Sequence, residues 1–151
     1  MTAETPSAGW FEGREHRLAV RVYYEDTDFT GVVYHASYLR FFERGRTELL
    51  RSCGLGHAAL LEGPDPCAFA VTRLAVSFRR PARIDDALSV ETRLRPAGRV
   101  RFVADQRIVR EEALIAEAEV EVVAIRPGGG PRRLPPDLLR RLAPGQGVPA
   151  P

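Results

Sequence analysis

The spacing of apolar residues changes period once and then changes back, and that pair of switches limits what this 151-residue chain can build. From Arg17 to Tyr24, Leu18, Val20, Val22 and Tyr24 alternate with Arg17, Ala19, Arg21 and Tyr23, which is the period of a half-buried strand. From about Ala36 to Cys53 the spacing becomes helical. Tyr38, Phe42, Gly45 and Leu49 fall on one face, widened by Leu39, Phe41 and Leu50, and Gly54 follows as a C-terminal cap. Gly45 in mid-helix costs about 1 kcal/mol relative to alanine, and close approach of the helix to a sheet is the expected compensation. Alternation then returns four times: around Leu74, Val76 and Phe78; in Leu88 to Leu94; in Val100 to Ile108; and in Ala116 to Ala124. Pro96-Ala97-Gly98 turns the second of these into the third. One long helix with hairpin-linked strands implies an α+β fold, a five-stranded antiparallel sheet wrapped on the helix. The last strand carries Glu117, Glu119 and Glu121 on its second face, which is expected to be solvated.

The length suits one domain. Residues 1–16 are expected to be a flexible N-terminal segment, 17–126 the folded domain and 127–151 a Pro/Gly-rich, partly loose tail with a short helix at Asp137 to Leu142. All 22 basic residues are arginine, and they are dispersed, with no stripe that would suit a nucleic acid. Cys53 and Cys67 are too few and too far apart for a disulfide scaffold or a CxxC pair, so packed thiols are expected. No apolar run approaches the ~20 residues that span a bilayer, and the first ten residues do not resemble a signal peptide. These features fit a cytoplasmic protein without membrane insertion. His16, His35 and His57 share no ligand spacing, so no metal site is expected.

Reactive side chains are densest in Tyr24-Glu25-Asp26-Thr27-Asp28, followed by Gly31-Val32-Val33-Tyr34-His35 at the entrance to the helix. The polar segment from Glu25 to Gly31 must be a loop, since neither period continues through it. Three carboxylates therefore precede a helix N-terminus, whose unpaired N–H groups and dipole favour an anion or a polarised carbonyl oxygen. An acid on that loop could act on an ester held there; equally, the acids could cap the helix or end the strand. Glu43 and Glu48 read as the polar side of the helix. No GxSxG elbow or P-loop is present.

The segment Val20 to Asp28, with Gly31 to Tyr38 and Phe42-Glu43-Arg44-Gly45-Arg46-Thr47-Glu48, resembles the 4-hydroxybenzoyl-CoA thioesterase family of hotdog-fold proteins. It is most similar to the Tol-Pal system-associated acyl-CoA thioesterases. Phe78 to Asp86, Gln106 to Val109, Ala116 to Val120 and Arg133-Leu134-Pro135 resemble that subgroup too, so the likeness runs from about Leu18 to Pro136. Two departures stand out: Phe29-Thr30 replaces the small residues common before the glycine, and Gly45 stands where alanine is usual. The resemblance implies hydrolysis of short-chain or aromatic acyl-CoA to free acid and CoA without a cofactor. It places the catalytic carboxylate at Asp28 and leaves Asp26 structural. The N–H that polarises the thioester carbonyl falls at His35, with Tyr24, Gly31, Val32, Val33 and Tyr34 contacting substrate. Whether Asp28 attacks the carbonyl or draws a proton from water stays open. Arg99 and Arg101 suit the CoA phosphates by their chemistry. A homodimer or homotetramer is implied, with sites at the subunit boundary. An alternative of another class is a non-catalytic acyl-CoA or acyl-carrier binding partner of a cell-envelope complex.

Overall fold

Each period-two segment of the sequence becomes a strand and the helical segment becomes one long helix, α1. The computed structural model describes residues 4–142. In chain order it contains β1 (Trp10–Glu12), β2 (Glu15–Arg21), a 3-10 turn (Tyr24–Asp26), α1 (His35–Ser52), α2 (His57–Glu62), β3 (Ala68–Phe78), β4 (Ala87–Pro96), β5 (Arg101–Arg110), β6 (Ala113–Ile125) and α3 (Pro136–Leu142). The strands form one antiparallel sheet in the order β1-β2-β4-β5-β6-β3.

The sheet thus has six strands, against the five read from the sequence. The extra one, β1, has three residues, too few to display a period, and it folds back on β2 through Gly13 at φ 59°. β3 begins at Ala68, well before the expected Leu74, because a register shift between Val71 and Arg73 breaks the alternation there. α2, an exposed-to-half-buried helix of six residues, is likewise too short to display a period.

The segment assigned as flexible, 1–16, is pinned from Ala8 onward. His16 is fully buried, and its Nε2–H donates to the Ala8 carbonyl at 2.7 Å, which also accepts the Ser52 hydroxyl. Gly9 adopts φ 76°, and a Cβ there would lie 2.1 Å from the Arg17 carbonyl oxygen, so only glycine lets the segment run this close. The tail is held as well. Leu134, Leu138 and Leu142 are buried, closing the core beside Leu49 and Cys53. The remaining ends, 1–3 and 143–151, lie outside the described residues.

The core sits between α1 and one face of the sheet. Phe41 and Phe42 are inaccessible to solvent, and Tyr38, Leu49 and Leu50 are buried with them. Gly45 faces the sheet where a Cβ would meet Val90 Cγ1 at 2.6 Å, Thr92 Oγ1 at 3.0 Å and Gln106 Nε2 at 3.1 Å. Gln106 is buried there and its amide donates to the Phe42 carbonyl and to Thr92 Oγ1, both at 2.9 Å. The opposite face of the sheet is a charge lattice. Glu91 accepts from Arg107, Asp105 from Arg95, Glu117 from Arg79 and Glu121 from Arg101. No helix among the described residues is long and apolar enough to cross a membrane.

The approach at Gly45 makes a directional prediction. Gly45→Ala gains about 1 kcal/mol of helix propensity but drives a methyl into a β-branched neighbour that cannot swing aside, at a cost of about 1–3 kcal/mol. The variant is expected to unfold at lower denaturant, with a net loss of up to about 2 kcal/mol, while a surface control such as Arg44→Ala stays near wild type.

Candidate active site

Between β2 and α1 the chain makes a small two-armed ribbon that carries the residues singled out from the sequence. Val22 leaves the sheet by bonding both ways with the β3–β4 connection, through Val22 N–H to Asp86 O and Asp85 N–H to Val22 O. The 3-10 turn follows. Asp26 points inward, almost fully buried, and its Oδ2 accepts the Tyr23 N–H at 2.8 Å. The arms then pair: Tyr34 N–H donates to Asp26 O, Thr27 bridges Val33, and Asp28 N–H donates to Val32 O. Gly31, at φ 85°, closes the loop with its N–H on the Asp28 carbonyl. A non-glycine residue would be strained at that φ.

Asp28 stands at the tip of this ribbon, half-buried and in no ion pair among the described residues. Its Oδ1 accepts the Thr30 hydroxyl at 2.5 Å and the Thr30 N–H at 2.8 Å, which leaves Oδ2 free of both. The Thr30 hydroxyl, then the backbone N–H of Thr30, hold the carboxyl below its ordinary value of 3.8, with a smaller contribution from Val32. The group is ionised throughout the neutral range.

The other arm runs straight into α1. Tyr34 is the N-cap residue, and no side chain caps the helix, so the acids of the loop do not serve that purpose. Of the first amides, Tyr34 N–H is taken by Asp26 O and Ser37 N–H by Tyr34 O. Those of His35 and Ala36 have no acceptor one turn back, as helix geometry dictates, and remain to bind an oxygen. Beneath them, Tyr38 OH accepts the Ala82 N–H at 2.9 Å while Ala82 O accepts the Val33 N–H at 2.8 Å. That pair of bonds locks ribbon, helix and sheet end into one unit. The His35 ring lies exposed between the rings of Tyr34, at 4.5 Å, and Phe78, at 6.4 Å.

The structure brings Asp28, Gly31, Val32, Val33, Tyr34 and His35 together on the ribbon. Val33 is buried and contributes packing; Val32 is half-buried. Tyr24 lies at the foot of the ribbon with its side chain 83% exposed and its carbonyl accepting the Thr27 hydroxyl. Arg99 and Arg101 do not join them. The ribbon leaves the sheet where Arg21 pairs with Ala87, at the start of β4, whereas the β4–β5 turn lies beyond Pro96. Ten residues of strand put that turn roughly 30 Å away within a protomer. Arg101 is also engaged with Glu121 at 2.8 Å.

A guanidinium that sequence reading passed over is nearer. Arg83 is exposed, and its backbone bridges Val32. Its segment, Arg79-Arg80-Pro81-Ala82-Arg83, belongs to the stretch Phe78 to Asp86 that carries the family resemblance, with no role assigned there to Arg83. Among the described residues no group of three or more His, Cys, Asp and Glu side chains gathers to hold a metal.

The profile of the Thioesterase-like superfamily matches residues 22–142. The acyl-CoA thioester hydrolase YbgC of Escherichia coli is 46% identical over 125 residues, 82% of this chain and 92% of that protein. The acyl-CoA thioesterase YbgC of Haemophilus influenzae is 44% identical over 106 residues, 70% of this chain and 77% of that protein. Among solved structures, a probable thioesterase from Bartonella henselae superposes with a TM-score of 0.78 at 44% identity, over 80% of this chain and 99% of that one. A 1,4-dihydroxy-2-naphthoyl-CoA thioesterase from Synechocystis gives 0.77 at 27% identity, over 85% and 95%.

The two aspartates should separate in a stability measurement. Asp26→Ala empties a buried position and removes the acceptor of the Tyr23 N–H, and is expected to cost about 1 kcal/mol or more. Asp28→Asn keeps the size of the side chain and an oxygen to accept the Thr30 bonds, and should stay within about 0.5 kcal/mol of wild type by denaturant midpoint.

Proposed function

Because the chain belongs to the thioesterase-like superfamily of hotdog-fold proteins, we propose that it is an acyl-CoA thioesterase in which Asp28 and the start of α1 act on opposite sides of one carbonyl. The observation that carries this reading is the pairing of an ionised carboxylate, with one oxygen uncommitted, and two unpaired helix amides on a single hydrogen-bonded ribbon. The N–H groups of His35 and Ala36 receive the carbonyl oxygen and stabilise the charge that grows on it, helped by the helix dipole. Asp28 either attacks the carbonyl carbon, forming an anhydride and releasing the thiolate of CoA, or takes a proton from the attacking water. Water then yields the free acid. Thiolate is a good leaving group, so no general acid is required of the protein. Arg83, bridged to Val32 at the mouth, is placed to meet the phosphates of CoA, a role for which guanidinium geometry is suited.

A second copy of the chain completes the site. β3 is an outer strand eleven residues long, and Val71, Leu74 and Phe78 along it are 50%, 41% and 50% exposed. Such an edge is a template for pairing with another strand. Phe78 flanks His35, so whatever covers β3 also borders the reacting carbonyl.

The test is thiol release from a panel of acyl-CoAs. Asp28→Asn is expected to lower kcat/KM by about 10³-fold or more with the fold retained, since it removes a group acting in the transition state. Retained turnover would overturn the assignment, and tight CoA binding without turnover in the wild type would favour a non-catalytic binding partner. The acid limb of the kcat/KM profile provides a second check. Thr30 bonds stabilise the ionised form, so activity should persist down to pH values below the ordinary 3.8 of a free aspartate, wherever the fold survives. Thr30→Val removes the hydroxyl that lowers the pKa most, so the limb should move to higher pH.

A further inference from the structure

A second polar cluster lies along the C-terminal half of α1. A pocket of about 130 Å³ is enclosed by the C-terminal half of α1, by His57 at the start of α2 and by the sheet around β3. Leu50, Phe69, Phe102 and Val122 form apolar walls, and Glu43, Arg46, Thr47 and His57 supply the polar groups. The volume is close to that of a ~150 Å³ cavity able to hold a benzene-sized ligand.

A line of apolar side chains at the seam of α1 and β3 leads from the pocket towards the reacting centre. α1 lies over β2, β4 and β5 and makes little backbone contact with β3. At one end of β3, Phe78 sits against His35 and Tyr38; at the other, Phe69 sits against His57 and Phe102. Between them Val76 and Leu39 are half-buried. Arg46 is eleven residues beyond His35, so it stands about 16 Å along the helix axis from the amides that hold the carbonyl. An extended chain advances roughly 3.6 Å per three bonds, so the seam spans about thirteen bonds.

The polar end of the seam is underused by the protein itself. Arg46 is partly buried and its Nη1 donates to Gln106 Oε1 at 3.1 Å; no carboxylate lies within 4 Å of it among the described residues. Burial pulls the guanidinium below its ordinary pKa, with Glu43 opposing, yet it stays charged. Beside it the Thr47 hydroxyl is shared between Glu43 Oε1 and His57 Nε2, each at 3.1 Å. The cluster thus offers spare N–H donors from Arg46 together with acceptor oxygens on Glu43, while His57 Nε2–H donates to the Thr47 oxygen. A hydroxyl, which both accepts and donates, is matched to that set, whereas a carboxylate would be repelled by Glu43.

Resting on the thioesterase reading, we propose that the α1–β3 seam takes a medium-length acyl chain whose far end carries an uncharged hydroxyl, recognised by Arg46, Thr47, Glu43 and His57. This substrate is longer than the short-chain or aromatic groups expected from the sequence. Arg46, Thr47 and His57 then set specificity and take no part in the chemistry at Asp28.

The experiment compares dodecanoyl-CoA with 12-hydroxydodecanoyl-CoA, by thiol release from the wild type and by calorimetric binding to the Asp28→Asn protein. The hydroxylated substrate is expected to be preferred roughly 10- to 100-fold in both readouts, the range for a hydrogen bond to a charged group. Arg46→Met, and separately His57→Phe, should bring the ratio towards one; the second variant carries the test if the first fails to fold. Equal use of the two substrates by the wild type, or an unchanged ratio in folded variants, would overturn the proposal. Absence of turnover on every acyl-CoA, with the binding preference intact, would overturn the thioesterase reading and leave the pocket assignment standing.

Discussion

Everything at the ribbon depends on how closely α1 lies on the sheet. At Gly45 there is no room for a methyl group, and the space is filled by Val90, Thr92 and Gln106. The same Gln106 bonds the Phe42 carbonyl, so a buried amide fixes the depth and rotation of the helix as well as its distance. Buried polar groups of this kind are costly unless fully satisfied, and once satisfied they favour a single arrangement. With the middle of α1 fixed, its first turn is aimed by Tyr38, whose hydroxyl takes the Ala82 N–H while the Ala82 carbonyl takes Val33. The position of the His35 amide is therefore set by packing a full two to three turns away.

Much of this was legible in the residues. The helical period from Tyr38 to Leu50 located α1, and mid-helix glycine implied a close approach that the structure places on Val90. The acidic loop stood out because strand period ended at Tyr24 and helical period began after His35. What stayed hidden has a common cause, in that local pattern reports which face is buried and not which segments meet. β1 is too short to have a pattern, and the bulge at Thr72 erased the pattern of the first half of β3. The pairing of Ala8 with His16 and Ser52 is a contact between distant segments that no period encodes.

Arg99 and Arg101 are instructive for the same reason. Their chemistry suits phosphate, but within a protomer the length of β4 separates them from the ribbon, and Arg101 neutralises Glu121. Part of the arginine content serves such pairs. With acids on alternate positions of β6, the outer face needs cations from β3, β4 and β5, and Arg73, Arg79, Arg95 and Arg101 supply them. These exposed pairs add little stability singly, and their service is to keep a broad sheet face charged and well hydrated.

A carboxylate held below the ordinary aspartate range is a poor proton acceptor at neutral pH, because general-base efficiency rises as the pKa approaches the working pH. The free protein nevertheless keeps Asp28 low through Thr30, in a loop open to water. The two facts fit together once substrate is considered. In the proposed mechanism an acyl-CoA laid across the ribbon would remove water from Oδ2, and desolvation raises the pKa of a carboxylate while strengthening its attraction to the carbonyl carbon. Thr30 bonds act against protonation at that moment, so the group stays ionised in an environment that makes it reactive. The exposure of Phe29 and Tyr24 around the loop then has a use, since apolar surface that closes over bound substrate supplies the desolvation that the empty site lacks.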